Sequence, residues 1–165
     1  MNHSSDTERS SRERSGNRHV DPTRAYAWFA GVFLLLQGVS TLAMRLVPEL
    51  DRAFPALLHH TRMVPSHSLL HIATALVAFA ALRWGARRGV ARFAWGFGMF
   101  YIALALAGMA SGSPLGLGLQ AFDHPFHVLL GGLGLAAFWL QRRREGKSRR
   151  PPDGRLPAPT DSGPT

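Results

Sequence analysis

Histidine is the residue type with the widest chemical reach in this sequence, and its placement is strongly uneven. Six of the eight histidines (His59, His60, His67, His71, His124 and His127) fall between positions 59 and 127. On a helix His67 and His71 stand four residues apart and His124 and His127 three apart, so each pair projects from one face. Four imidazoles from two helices could form a tetrahedral Zn²⁺ or Cu site with bonds of about 2.0–2.1 Å. One histidine from each helix could instead ligate a haem from its two faces. The reading preferred from the sequence is plainer. His67, His71 and His127 would bond Asp123, loop carbonyls or one another across the helices, making a structural cluster that ties the bundle ends together. A proton relay in a transporter is the remaining reading. Asp123 and Ser66 stand where helix N-caps for the two His-bearing segments are expected.

Little else in the chain points to chemistry. Zero Cys excludes a disulfide framework, a thiolate metal site and a Cys nucleophile. There is no G-x-S-x-G, no phosphate loop and no pair of buried carboxylates, so no catalytic constellation is recognised. Gln37, Ser40 and Thr41 are the polar residues of an otherwise apolar stretch, and such groups more often hydrogen-bond from helix to helix than line a path.

The elements that must position the histidines follow from how apolar content is distributed. The average is 46% hydrophobic with a mean hydropathy of −0.01, as in a soluble domain, but almost all of that apolar content lies between residues 25 and 141. Four stretches stand out there. Tyr26 to Met44 and Phe93 to Ala110 carry no charge, while His67 to Leu82 and Pro125 to Leu140 are interrupted by little besides histidine and Thr74. At about 1.5 Å per residue the first nearly crosses a hydrocarbon layer of roughly 30 Å. A soluble bundle needs a polar face on every helix, and two of the four stretches have none. The expectation is an all-α fold, a four-transmembrane-helix bundle with spans at about 26–46, 66–84, 91–110 and 121–141. Residues 1–24 and 142–165 read as disordered tails, and the first span as a retained anchor. Prolines at 48, 55 and 65 around Leu50, Phe54, Leu57 and Leu58 suggest a short interfacial helical turn between the first two spans.

Charge supplies the orientation. Of 19 basic residues, 16 lie in the two tails and in the loop holding Arg83, Arg87, Arg88 and Arg92, while the other two loops share Arg45, Arg52 and Arg62. The positive-inside rule then places both termini in the cytoplasm of a multi-pass inner-membrane protein, with the histidines toward the outer face. Trp28, Trp84, Trp95 and Trp139 all lie at the basic ends, where aromatic anchors belong. The net charge of +9 is in this way read as a topology signal with attraction to a lipid bilayer, and nucleic acid is not expected as a partner. A membrane-protein partner or a homo-oligomer is compatible with the pattern.

Two further patterns concern the site. Ala27 to Phe33 and Ala94 to Phe100 both read A-W-x-x-G-x-F, and each is followed by a loop and a histidine-bearing segment, so the chain reads as two tandem helical hairpins in parallel orientation. Thr74, Ala75 and Ala78, and Gly131 and Gly134, continue the histidine faces inward with small residues that let membrane helices approach closely. With a haem, the same small residues would leave room for the macrocycle.

At these residues the chain resembles a family of small bacterial four-helix membrane proteins known as a domain of unknown function. Its members show H-N-x-x-H at the start of the second helix and D-N-x-x-H-x-x-x-G at the start of the fourth. Here the first stands as His67-Ser68-Leu69-Leu70-His71 and the second as Asp123-His124-Pro125-Phe126-His127 with Gly131 following, so Ser68 and His124 replace both Asn. The resemblance spans about residues 25 to 141. It implies a four-helix integral membrane domain in which His67, His71, Asp123 and His127 matter, and it brings no activity with it. The function expected is that of a structural or interaction module, with a haem- or metal-binding redox protein as the alternative.

Overall fold

The computed structural model describes residues 20–53, 64–111 and 114–148. Four long helices form an all-α bundle: α1 (Pro22–Leu46), α2 (Pro65–Trp84), α3 (Arg87–Ser111) and α4 (Asp123–Ser148). A six-residue helix, Pro48–Ala53, follows α1 directly at the position where the sequence suggests a short turn, and a 3₁₀ turn, Pro114–Gly116, precedes α4. The remainder of the first loop, including His59 and His60, and most of both expected tails lie outside the described residues.

Helix boundaries follow local chemistry more than hydropathy. Asp21 caps α1 by accepting from the Thr23 and Arg24 amides at 3.0 and 3.2 Å, and Pro22 occupies the first turn, where its missing N–H costs nothing. The helix therefore begins four residues before the apolar stretch. At its other end Val47 turns extended ahead of Pro48. α2 begins at Pro65 behind an extended Val64 that offers no side-chain cap. Ser66 is not the cap expected of it: it sits inside the first turn, and its hydroxyl donates to the Gly116 carbonyl at 3.2 Å. α4 runs on through Arg142, Arg143 and Arg144 to Ser148, past the hydropathy-drawn boundary at 141, since Arg, Gln, Glu and Lys all favour helix.

The helices pair as two hairpins, α1 with α2 and α3 with α4. Small residues face inward and large apolar residues outward. Ala27, Ala30, Ala75, Ala78, Ala94 and Ala105 are fully buried, while Phe29, Leu36, Leu76, Val77, Met99, Leu106 and Leu129 lie exposed on the outside. Water would penalise that arrangement heavily, whereas hydrocarbon welcomes it, because packing between small side chains is what drives helix association there. Three helices, α1, α2 and α3, are long and apolar enough to cross a membrane. That makes the chain a multi-pass membrane protein in contact with lipid. The fourth expected span is present as a helix, but α4 falls outside that group: its apolar stretch covers little more than half of its 26 residues before the basic run begins.

Matching positions in the two halves do matching jobs. The glycine of each A-W-x-x-G-x-F motif sits against the returning helix of its own hairpin: a Cβ on Gly31 would lie 3.1 Å from Phe79, and one on Gly98 would lie 2.8 Å from the Gly131 carbonyl and 2.9 Å from Leu135. In α3 and α4 the two backbones touch at this point, and only glycine allows it.

Candidate metal centre

Three histidines meet in the bundle. His67 and His71 project from the first two turns of α2 and His127 from the first turns of α4, and all three are buried. Their ring centroids lie 4.6 Å (His67 to His71), 5.6 Å (His67 to His127) and 6.2 Å (His71 to His127) apart. One nitrogen from each falls within 4.8 Å of one nitrogen from both others. In the tandem-hairpin register His71 corresponds to His127 and His67 to Asp123, so the cluster is assembled where equivalent positions of the two halves meet. Sites at the interface of internal repeats are a recurring arrangement in membrane proteins.

The hydrogen-bonded cluster expected from the sequence is not what these rings form. Among the described residues, both nitrogens of His67, both of His71 and Nδ1 of His127 are buried with no hydrogen-bond partner. Asp123 lies closest: its Oδ2 stands 4.0 Å from His67 Nδ1, beyond hydrogen-bond reach, and accepts instead from the Gln120 amide at 2.7 Å. Asp123 is therefore the first helical residue of α4, reaching back to its entry loop, and not its N-cap.

His124 is not brought to the other three. It faces α3, where its ring atoms lie 2.5–2.7 Å from where a Cβ on Gly108 would stand, so Gly108 is the residue that admits it. The three-residue spacing on α4 points His124 and His127 to the same side, but the 60° between them is enough to send one toward the α2 interface and the other toward α3.

A residue that sequence reasoning missed completes the surroundings. Tyr101 of α3 is fully buried, its ring edge-on to His127 at 5.0 Å and roughly parallel to His71 at 6.3 Å, and its back stacked on Phe97 at 4.3 Å. Its signal was available as a polar-tipped aromatic one turn below Phe97 on the buried stripe of α3. Ser68 shares a hydrogen bond of 2.9 Å with Thr41 and so fastens α2 to α1. Ser40 and Thr41 also donate to the Gln37 carbonyl, at 3.1 and 2.7 Å, which is local bonding within α1.

The glycines of α4 below the histidines are spent on helix contact. A Cβ on Gly131 would lie 2.7 Å from the Gly98 carbonyl, and one on Gly134 would lie 2.8 Å from the Ala94 carbonyl and from the Tyr26 hydroxyl, which itself donates to the Leu130 carbonyl at 2.8 Å. Gly131 and Gly134 are thus taken up by contact with α3 and α1, and the room they would give a macrocycle is already filled from those sides. His67, His71 and His127 stand close enough to hold a single ion, and neutral imidazole is the ligand form it would take.

No protein-family model, curated protein or solved structure matches the chain. Its kind is accordingly given by its architecture, that of a four-helix all-α protein with three candidate membrane spans.

Proposed function

We propose that the chain is a four-span membrane protein that binds one Zn²⁺ or Cu ion through His67, His71 and His127. The observation that carries this is the convergence of His67, His71 and His127, five of whose nitrogens are buried without a hydrogen-bond partner among the described residues. Each buried polar group left unsatisfied costs about 1–3 kcal/mol, and three such rings converging on one point is a costly arrangement unless something binds them. Ligands of a tetrahedral ion at about 2.0–2.1 Å stand about 3.4 Å apart, so side-chain rotations of about 1 Å bring these nitrogens onto a common centre. Asp123 then serves as an outer carboxylate that orients His67. Three neutral donors leave a fourth position open, which is the pattern of a centre that meets a further ligand.

The fourth span and the orientation belong to the same reading. The outward residues of α4, Val128, Leu129, Leu133 and Leu140, are all exposed and apolar, which suits lipid. The distribution of Arg supports cytoplasmic termini.

Elemental analysis of the full chain, purified in detergent and exposed to Zn²⁺ or Cu²⁺ before desalting, tests the proposal. One bound ion per chain is expected, falling below about a tenth in His71→Ala and in His127→Ala, while His124→Ala keeps it. Co²⁺ substitution should give the visible bands of a tetrahedral site. Wild-type protein that retains neither metal overturns the proposal. Orientation is checked separately: the sequence has no Cys, so Ala121→Cys should react with an impermeant maleimide from outside and Gly89→Cys should not.

A further inference from the structure

At the opposite end of the bundle, α3 and α4 enclose a groove of about 530 Å³ lined by Arg88, Arg92, Phe138, Gln141, Arg142 and Glu145 among others. It continues into a second space of about 470 Å³ that shares Arg92, Phe138 and Arg142 and is bounded by Trp95 and Trp139. We propose that this groove binds the headgroup of an anionic phospholipid, with the phosphodiester between Arg92 and Arg142 and the acyl chains passing the two tryptophans.

The register of the two helices carries the assignment. Arg92 precedes Trp95 by three residues on α3, and Arg142 follows Trp139 by three on the antiparallel α4. Each arginine is thus about 4.5 Å nearer the aqueous side than its tryptophan. The groove presents a guanidinium pair one turn beyond an indole pair, the order in which a phospholipid presents its phosphate and its glycerol and upper acyl region. Both tryptophans are about half exposed, at 51% and 62%, facing the surroundings instead of the core.

Charge selects the ligand. Arg88 and Arg92, one turn apart, line one wall, and Arg142 is held on the other with its guanidinium 5.3 Å from the Phe138 ring centroid. Among the described residues none of the three has a carboxylate partner, and the acid of the groove, Glu145, already accepts from Gln141 Nε2 at 3.0 Å. Three guanidinium groups against one engaged carboxylate favour a lipid with net negative charge over a zwitterionic one. Arginine also suits the purpose geometrically, since its planar fork bonds two phosphate oxygens at once. Orientation in the membrane requires basic residues near this end but no groove between them. The pairing of Arg with Trp across two helices is therefore additional to the topology signal.

The test uses full-length protein, delipidated in detergent and titrated with phosphatidylglycerol or phosphatidylcholine under native mass spectrometry. Wild type should bind phosphatidylglycerol in preference to phosphatidylcholine, and the Arg92→Gln/Arg142→Gln double variant should lose about thirtyfold in phosphatidylglycerol affinity. Arg83→Gln, outside the groove, should change nothing. A second readout does not depend on those variants: in a Trp28→Phe/Trp84→Phe background, acyl-brominated phosphatidylglycerol should quench the remaining tryptophans more than brominated phosphatidylcholine does. Equal binding of the two lipids by wild type, an unchanged double variant, or displacement by soluble glycerol phosphate at the lipid's own concentration would each overturn the proposal, the last by assigning the groove to a soluble anion.

Discussion

The two ends of this bundle differ in how far the chain itself meets their polar groups. At the basic end the polar groups are met largely by the chain itself. Asp21 Oδ1 takes the Thr23 and Arg24 amides and the Thr23 hydroxyl, while its Oδ2 has no hydrogen bond and is met by the charge of Arg87, whose Nε lies 3.4 Å away. Arg24 reaches the Leu82 carbonyl, Arg144 reaches the Val20 carbonyl at 2.8 Å, and the buried Gln141 bonds Glu145. At the histidine end three rings of comparable hydrogen-bonding capacity crowd together and are not bonded among the described residues. A chain that satisfies its polar groups at one end has the means to do so at the other. The difference is the one that the proposed metal site would produce, with rings left unpaired by the chain and met by a ligand from outside it.

The sharpest way to break that contrast is to ask whether metal changes stability. A ligand held at a hundred times its Kd adds about 2.7 kcal/mol, so Zn²⁺ or Cu should raise the melting temperature of the wild type by several degrees, and a chelator should remove the gain. The converse experiment replaces the rings. His67→Leu/His71→Leu/His127→Leu removes all five unpaired nitrogens at similar volume, so it should melt above metal-free wild type and ignore metal altogether. A triple variant less stable than the metal-free wild type would show that the rings are held by contacts internal to the protein, and the contrast between the ends would disappear.

A smaller effect sharpens the histidine end itself. Asp123→Asn keeps the acceptor for the Gln120 amide but removes the carboxylate charge that stands 4.0 Å from His67. Outer partners of metal-bound histidines are worth about ten- to a hundredfold in affinity. Isothermal titration with Zn²⁺ should show a loss in that range with unchanged stoichiometry; an unchanged Kd would confine Asp123 to a structural role in the entry loop.

Much of this arrangement was legible in the sequence, for identifiable reasons. Uncharged apolar runs give helices and hairpins directly, since backbone groups in hydrocarbon have few other ways to be satisfied. The A-W-x-x-G-x-F repeat pointed to two equivalent halves, and each glycine in it does face the returning helix of its own hairpin. Pairing His67 with His71 on one helix face needed only the 3.6-residue period. What the period could not supply was rotation of one helix about its own axis relative to its neighbours. That rotation sends His127 to the α2 interface and His124 to Gly108, and it brings in Tyr101 from a helix whose sequence shows no chemical motif. Nor could spacing reveal that Asp123 turns back to its loop, because a helix-start acid suits an N-cap and a first-turn residue equally well. The helix ends lay beyond the hydropathy signal for the same reason: capping at Asp21 and helix propensity through Arg142–Arg144 act on residues that are not apolar at all.

At the basic end the expected effects are smaller and independent of metal. Asp21→Ala removes an N-cap acceptor that serves two amides and a hydroxyl, and loss of such a cap costs about 0.5–2 kcal/mol. The melting temperature should fall equally with and without Zn²⁺. A fall seen only in the metal-loaded protein would mean that the two ends are coupled through α1 and would weaken the division drawn between them.

The smallest effect distinguishes the cap from the ion pair that shares it. Arg87 is 68% exposed at its side chain while Asp21 is 11% exposed, so their 3.4 Å contact joins a well-placed carboxylate to a solvated cation. Exposed pairs of this kind are worth about 0.2–1 kcal/mol and are screened by salt. Arg87→Gln should therefore cost less than Asp21→Ala, and the difference from wild type should vanish as salt rises toward 1 M, where screening acts over about 3 Å. In the double variant Asp21→Ala/Arg87→Gln the arginine should contribute nothing further, because its partner is already gone. An Arg87→Gln loss that persists in high salt, or that adds fully to Asp21→Ala, would show that Arg87 stabilises the α2–α3 connection by packing and not by charge. The polar economy of the basic end would then rest on Asp21 and the backbone alone.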